Sequence, residues 1–235
     1  QARQPGGDLP GRHPHLPGHA PGIPARRRRP VRPGAGAGDP GGVEFGPVLG
    51  AAQFPEMVEA ILPFCASART SSLNFVFLEG VKAALTADQN WRNGDYDSPP
   101  ETGLKAFARV YAGWAFSQTF YRNGLYRNLG FETPEDLLQD WEADHLNWDA
   151  NNLLTKLRAW QTADISTNPV YGGDFQLALA AIRAKAIVIS CSSDLYFPPE
   201  DNKIEVHQMR NAELRIYDSP WGHCVASPGN DPEFT

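Results

Sequence analysis

The sequence predicts an α/β protein in which a mostly parallel sheet is interrupted by a long block of helices. Apolar residues recur at three- and four-residue steps from about residue 71 to residue 160, which is the spacing of amphipathic helices. Short apolar runs of strand length stand before this block, at 60–66, and after it, at 186–190. Strands and helices alternate in the last third of the chain, which is typical of a parallel sheet.

The elements before and within the helical block follow from local patterns. Residues 54–60 read as the end of a helix and its connector, and 60–66 as a buried strand. Apolar positions on one face predict helices over 73–85, over 103–121 and over 152–160. Thr133 is the expected N-cap of a further helix, since Pro134 follows it and Glu135 and Asp136 face the helix dipole.

The end of the chain alternates between helix and strand. Residues 174–184 and 200–208 are predicted helices, and 186–190 and 212–217 are predicted strands. Together with the strand at 60–66, these elements place the helical block inside the sheet sequence. The predicted domain organisation is therefore a sheet core over 48–70 and 168–235, with a helical insertion over 71–167.

The first 47 residues differ in composition from the rest. They hold 10 of the 21 prolines and 11 of the 22 glycines, and no Lys, Ser, Thr, Asn, Tyr, Trp, Cys or Met. Proline removes backbone donors and glycine raises the entropy cost of ordering, so residues 1–47 are expected to be disordered. The amino-acid composition of this segment also fits a GC-rich gene that is translated out of frame. We favour this interpretation over a basic arm that binds nucleic acid or an acidic partner.

Composition excludes several classes of protein. No apolar run approaches the ~20 residues of a membrane-spanning helix, and no signal peptide is visible. Cys65, Cys191 and Cys224 are too few and too scattered for a disulfide framework or a zinc cluster, so no metal is expected. A net charge of −6 argues against a nucleic-acid binder despite the run Arg26–Arg29. A soluble cytoplasmic protein is the expectation.

An acid and a histidine follow the last two predicted strands. Asp194 lies in the loop after 186–190, and His223 follows Gly222 in the loop after 212–217. Neighbouring parallel strands present such loops at the same edge of the sheet. A carboxylate that holds one imidazole nitrogen lets the other accept a serine proton, so the pair fits the last two members of a Ser-Asp-His triad.

Several segments together resemble the homoserine O-acetyltransferase-like branch of the α/β hydrolases. They are Asp194-Leu195-Tyr196-Phe197-Pro198, Gly222-His223, Trp148-Asp149-Ala150-Asn151-Asn152 and Phe64-Cys65-Ala66-Ser67-Ala68-Arg69-Thr70-Ser71. The resemblance covers about residue 51 to the C-terminus. It implies a partial α/β-hydrolase fold whose helical lid, 71–167, closes over the site. By this resemblance Asp194 is the triad acid and His223 the general base.

The nucleophile of that family is not in the printed sequence. The family carries it in a Gly-x-Ser-x-Gly turn ahead of the helix that ends near Phe54, whereas no serine precedes Ser67. Reading the codons of residues 42–47 one nucleotide later permits Gly-Trp-Ser-x-Gly. We therefore expect that the head is translated out of frame and that the serine is encoded but absent from this chain.

Four other residues are candidates for the nucleophile or for substrate binding. Cys65 and Ser67 lie at the end of a strand, where a side chain could face the site, but they follow the wrong strand for a nucleophile. Arg69 could reach a substrate carboxylate or pair with an acid of the lid. Asp149, in the lid segment, is the second candidate for substrate binding.

The expected function is acyl transfer through a serine acyl-enzyme. The partners would be a small-molecule acyl donor and an alcohol or water as acceptor, with no resident cofactor and with acetyl-CoA as co-substrate if the reaction is acetyl transfer. A small-ester hydrolase is one alternative. An inactive fragment is the other, because the serine and the preceding strands are missing and the chain stops before a closing helix. Neither nucleic acid nor membrane is an expected partner, and a homodimer is a compatible assembly.

Overall fold

The computed structural model describes residues 45–227, 230, 231 and 233. The predicted disordered segment lies outside the described residues as far as residue 44. The following account concerns the described part of the chain.

The described residues form a three-stranded, fully parallel sheet. Its strands, in spatial order, are β1 (Ala60–Ile61), β2 (Lys185–Cys191) and β3 (Ala212–Tyr217). The predicted strands near the end are confirmed, and β2 pairs with β3 up to Cys191 opposite Tyr217. The prediction of one strand over 60–66 is wrong, because regular pairing stops at Ile61. Pro63 has no N–H to continue the ladder, and only a single bridge, Phe64 to Ile189, follows it.

Eight α-helices surround this sheet in the described part of the chain. They are α1 (Gly46–Gln53), α2 (Ser72–Thr86), α3 (Glu101–Ala115), α4 (Gln118–Arg122), α5 (Pro134–His145), α6 (Ala150–Gln161), α7 (Phe175–Ala181) and α8 (Pro199–Gln208). Shorter 3₁₀ turns occupy Gln89–Gly94, Leu125–Arg127 and Gly222–Ala226.

The predicted helix over 103–121 is broken in two. Phe116 is extended, with φ −105° and ψ 154°, and ends α3. Ser117 then starts α4 by accepting a hydrogen bond from the backbone N–H of Phe120 at 3.0 Å. Periodicity alone could not reveal this break because apolar residues continue through it.

The other helix starts follow their sequence signals. Thr133 caps α5 in a reciprocal capping box, in which its hydroxyl accepts from the N–H of Asp136 and the Asp136 carboxylate accepts from the N–H of Thr133. Asp149 caps α6 and Asp174 caps α7 by simple N-caps, in which each carboxylate accepts a hydrogen bond from the backbone N–H three residues later.

The segments just before α2 and just after α6 are hydrogen-bonded to each other, so the block of helices begins and ends at the same place in the fold. The N–H of Thr70 donates to the carbonyl of Ala163 at 2.9 Å, and the N–H of Ile165 donates to the carbonyl of Ala68 at 3.1 Å. Within the block, α2 packs against α3 and α6, and α3 packs against α5. The division into sheet core and lid at residues 71 and 167 stays a prediction.

Buried apolar side chains form two clusters. The larger one lies among α2, α3, α5 and α6 and extends to Tyr196, Phe197 and Trp221. The smaller one lies between the sheet, α1 and α7. None of the helices in the described residues has both the length and the hydrophobicity of a bilayer-spanning segment.

Candidate active site

The loops that follow β2 and β3 are held together by hydrogen bonds. The hydroxyl of Ser193 donates to the carbonyl of Ser219 at 2.5 Å, and the same oxygen accepts from the N–H of Gly222 at 3.1 Å. The hydroxyl of Ser192 donates to the carboxylate of Asp218 at 2.6 Å. This places the residues after both strands next to each other at the carboxyl edge of the sheet, as the parallel register requires.

Asp194 is fixed by its own loop. Its Oδ1 accepts hydrogen bonds from the backbone N–H groups of Tyr196, at 2.8 Å, and Phe197, at 3.2 Å. Its side chain is fully buried, and its Oδ2 lies 3.0 Å from Nδ1 of His223. Because an ionised carboxylate only accepts, Nδ1 carries the proton and Nε2 is the basic nitrogen of the neutral ring.

His223 is held in place by aromatic rings and by the chain that precedes it. The rings of Tyr196 and Phe197 lie 4.7 and 5.6 Å from the imidazole, measured between centroids. Gly222 has φ +64°, and a Cβ atom there would stand 2.7 Å from the backbone nitrogen of Ser117. The glycine is therefore required both by its left-handed conformation and by the close approach of the α3–α4 break.

The first turn of α1 lies beside the same loop. Phe45, the N-cap of α1, packs edge-on against Phe197 with centroids 5.8 Å apart. Phe197 in turn contacts the His223 ring. A helix N-terminus carries partial positive charge and unpaired N–H groups, which suit an anionic oxygen.

Cys65 is the third chemically active group at this position. Its sulfur, a carboxylate oxygen of Asp194 and a ring nitrogen of His223 all lie within 4.8 Å of one another. Cys65 is fully buried and has φ +46°. Burial raises the pKa of its thiol well above the usual range, and the charge of Asp194 raises it further. A nucleophilic cysteine needs a lowered pKa. The Cys65 thiol lies near the histidine, but its raised pKa keeps it protonated.

Ser67, the other alternative nucleophile, is engaged elsewhere. Its hydroxyl lies 2.6 Å from a carboxylate oxygen of Glu205 and 2.8 Å from the carbonyl of Arg69, and it can donate to either. The Glu205 side chain is buried on α8 and also accepts from the N–H of Ala68. Ser67 therefore serves a structural network rather than the histidine.

The two predicted substrate-binding residues lie in other surroundings. The exposed Arg69 places its guanidinium 4.0 Å above the ring of Phe175. Asp149 caps α6 through the N–H of Asn152 and accepts a short hydrogen bond from the hydroxyl of Tyr96. The contacts that the structure gives for Arg69 and Asp149 are thus with Phe175, Tyr96 and Asn152. Their role in substrate binding stays a prediction.

Cys65, Asp194 and His223 are also the group of side chains that could hold a metal ion. The carboxylate and the imidazole that such an ion would need are already hydrogen-bonded to each other, with Oδ2 and Nδ1 3.0 Å apart. The arrangement therefore suits an acid–base pair, in which the carboxylate orients the imidazole and stabilises its protonated form.

Comparison with known proteins places this geometry in a family. Over 176 residues, covering 74% of the chain and 50% of the relative, the sequence is 32% identical to the ethyl acetate hydrolase of Pseudomonas veronii. It is 29% identical to the homoserine O-acetyltransferase of Trichormus variabilis over 178 residues, which cover 72% of this chain and 48% of that protein. The solved acetylester hydrolase of Corynebacterium glutamicum superimposes with a TM-score of 0.75 at 27% identity, over 80% of this chain and 54% of that one. The chain belongs to the α/β-hydrolase superfamily.

No protein-family model matches the chain. The chain spans about half the length of the curated relatives it matches. The resemblance stated from the motifs is thereby confirmed at the level of the superfamily, and both esterases and homoserine O-acetyltransferases are among the relatives of this α/β hydrolase.

Sequence reasoning allowed the Cys65 side chain to face the site of this α/β hydrolase, but it missed the backbone conformation behind this and the network of Glu205. The proximity of Cys65 to Asp194 depends on a left-handed backbone at a non-glycine residue, for which the sequence carries no signal. The network of Glu205 joins α8 to the loop before the lid, and a lone glutamate on a short helix reads as a solvated side chain.

Proposed function

We propose that Asp194 and His223 are the acid and the base of a serine acyl-transfer site. The observation that carries the proposal is the 3.0 Å contact between Oδ2 of Asp194 and Nδ1 of His223, at the ends of adjacent parallel strands. The relatives named as esterases and acetyltransferases support the same chemistry.

In the proposed mechanism, Nε2 of His223 removes the proton of a serine hydroxyl as its oxygen attacks the acyl carbonyl. The imidazolium then gives that proton to the departing alcohol or thiol, and an acyl-serine remains. Water or an alcohol next loses its proton to Nε2 as it attacks the acyl-serine, and the serine is regenerated with its proton returned. Asp194 keeps Nδ1 protonated and offsets the positive charge that forms on the ring.

The serine of this mechanism is the one that a shifted reading of the codons for residues 42–47 permits. Its place would be directly ahead of α1, and in the printed chain the residue at position 45, at the start of that helix, packs on Phe197 beside His223. That position is compatible with a nucleophile facing Nε2 and with an oxyanion bound by backbone N–H groups at the start of α1.

We propose hydrolysis of a small acetyl ester as the reaction. The ethyl acetate hydrolase shares 32% of its aligned residues with this chain. Acetyl transfer from acetyl-CoA to homoserine is the second candidate, favoured by the relatives named homoserine O-acetyltransferase at 27–30% identity. Both reactions pass through the same acyl-enzyme and differ in whether the site admits water or an alcohol.

The decisive experiment compares the printed chain with a version in which the upstream reading frame is restored. A fluorophosphonate probe should label the restored protein and leave the printed chain unlabelled. Release of nitrophenol from p-nitrophenyl acetate, measured against thiol release from acetyl-CoA with homoserine, then separates the two reactions. Labelling of the printed chain at another residue, or a restored frame without a serine ahead of α1, would refute the proposal.

A further inference from the structure

The Asp194 carboxylate has a neighbour that the proposed mechanism does not use. The Cys65 thiol comes from the opposite side of β2, on the loop that follows β1, and lies within 4.8 Å of both Asp194 and His223. Its side chain is fully buried.

The backbone commits this position to an unusual conformation. The N–H of Cys65 donates to the carbonyl of Ile189 on β2 at 2.9 Å, which fixes the residue beside the strand that leads to Asp194. Cys65 then takes φ +46°, which costs a residue with a Cβ atom about 1 kcal/mol. The surrounding hydrogen bonds hold this conformation, and its effect is to direct the side chain towards the Asp194–His223 pair.

The chemistry of the thiol at this place is that of a donor. Its sulfur lies within 4.8 Å of a carboxylate oxygen of Asp194. Because an ionised carboxylate only accepts, a hydrogen bond between these two groups requires the thiol to donate its S–H. Its raised pKa keeps the proton on the sulfur, where it is needed for donation.

We propose that Cys65 is a positioning residue whose S–H group donates to the Asp194 carboxylate and holds it in the orientation that His223 requires. Backbone N–H groups of Tyr196 and Phe197 constrain Oδ1, and the thiol supplies a further constraint on the carboxylate from the β1 side. The inference deepens the proposed function and rests on it for the role of the pair.

Proton NMR of the chain as printed tests the inference without any assay of activity. The Nδ1 proton of His223 should give a resolved downfield signal with slow exchange. In Cys65→Ala, exchange of this proton with water should be about tenfold faster, because one hydrogen bond to the carboxylate is lost. Cys65→Ser keeps a donor and should restore slow exchange.

The matched control is Cys191→Ala. Cys191 is equally buried, and its sulfur contacts the Ser219 carbonyl and the Ser193 hydroxyl, so the substitution leaves a cavity of the same size nearby. It should leave the Nδ1 signal unchanged. An unchanged signal in Cys65→Ala, or equal effects of both alanine substitutions, would overturn the inference.

A second measurement needs no change at Cys65 itself. The S–H stretching band in the Raman spectrum of the unmodified chain should include one component shifted to low frequency by a strong acceptor. Asp194→Asn should shift the frequency of that component towards the frequencies of the other two thiols. A band that does not respond to Asp194→Asn would refute donation to this carboxylate, whatever the outcome for acyl transfer.

Discussion

Ser67 lies with its hydroxyl oxygen 2.6 Å from a carboxylate oxygen of Glu205, although the two residues are 138 positions apart. The same oxygen of Glu205 accepts from the N–H of Ala68, and its other oxygen accepts from the side-chain amide of Asn202 at 3.2 Å. The Asn202 amide also donates to the carbonyl of Ala66. This network attaches α8, which follows the Asp194 loop, to the loop that carries Cys65.

Glu205 should make stability depend on pH. Burial raises its pKa above the usual 4.5, although its hydrogen bonds lower it in part. Since the pKa is higher in the folded state, the contribution of Glu205 to stability is complete below the unfolded value and is lost as pH rises through the folded value. Over that window, the free energy of unfolding should fall by up to ~1.4 kcal/mol per pH unit.

Urea unfolding of the Glu205→Gln variant, repeated at intervals from pH 4.5 upward, checks this. The variant should be less stable at low pH because, with its oxygen accepting from Ser67 and Ala68, its NH2 group faces the Asn202 amide and cannot accept from it. It should also lack this part of the slope. Glu200→Gln, at an exposed position on the same helix, should keep the wild-type slope. Parallel pH profiles for wild type and Glu205→Gln would contradict the prediction.

Asp194 should contribute to folding and to chemistry through different oxygens. Asp194→Asn keeps an oxygen for the N–H groups of Tyr196 and Phe197 but puts an amide against His223, so the wrong tautomer is favoured. Asp194→Ala loses both functions. We expect the alanine variant to be about 2 kcal/mol less stable than the asparagine variant in urea unfolding. In the frame-restored protein, Asp194→Asn should lower kcat about 10⁴-fold; full activity would exclude the triad role.

Gly222 should tolerate no side chain. Alanine there must adopt φ +64° and would place its Cβ 2.7 Å from the Ser117 nitrogen and 2.9 Å from the Phe116 carbonyl carbon. We expect Gly222→Ala to cost about 2–3 kcal/mol in the free energy of unfolding. Gly113→Ala, inside α3 with no atom within 4 Å of the new Cβ, should instead gain about 0.5–1 kcal/mol. Similar effects at the two positions would show that the close approach is not as described.

The capping box of α5 should have a measurable energy. Thr133→Ala removes the hydroxyl that accepts from the N–H of Asp136, at a cost of about 1 kcal/mol. The control is Thr155→Ala, because Thr155 is exposed within α6 and its hydroxyl donates only to the carbonyl of Asn151. That change should be neutral or slightly stabilising. Thermal unfolding of both variants by circular dichroism distinguishes these outcomes.

The Asp194–His223 pair could be predicted from the sequence because parallel strand ends converge, whatever lies between them. The strands after residue 185 and the caps of α5 and α7 were predictable for similar reasons, since they depend on local pattern. The break at Phe116 was not, because its cause is tertiary: the 217–222 loop packs there, and the Ser117 hydroxyl donates to the Pro220 carbonyl at 2.5 Å.

The candidate site beyond the pair was less accessible to prediction. The left-handed conformation of Cys65 depends on the bond from its N–H to Ile189, 124 residues later, and no local signal encodes it. The short β1 follows from Pro63, whose effect on the ladder was visible in the sequence but was not used. Arg69 is a candidate because of its charge and Asp149 because of its place in the lid segment, and the structure pairs them with Phe175 and Tyr96.

The contact between Ser117 and Pro220 has a mechanical consequence. This hydrogen bond joins the inserted helices to the loop that carries His223, at the break that separates α3 from α4. A movement of α3 and α4 away from the sheet would displace the loop that carries His223 and would separate its imidazole from the Asp194 carboxylate. Under the proposed function, we therefore expect the α3–α4 break to stay in contact with this loop while a substrate enters.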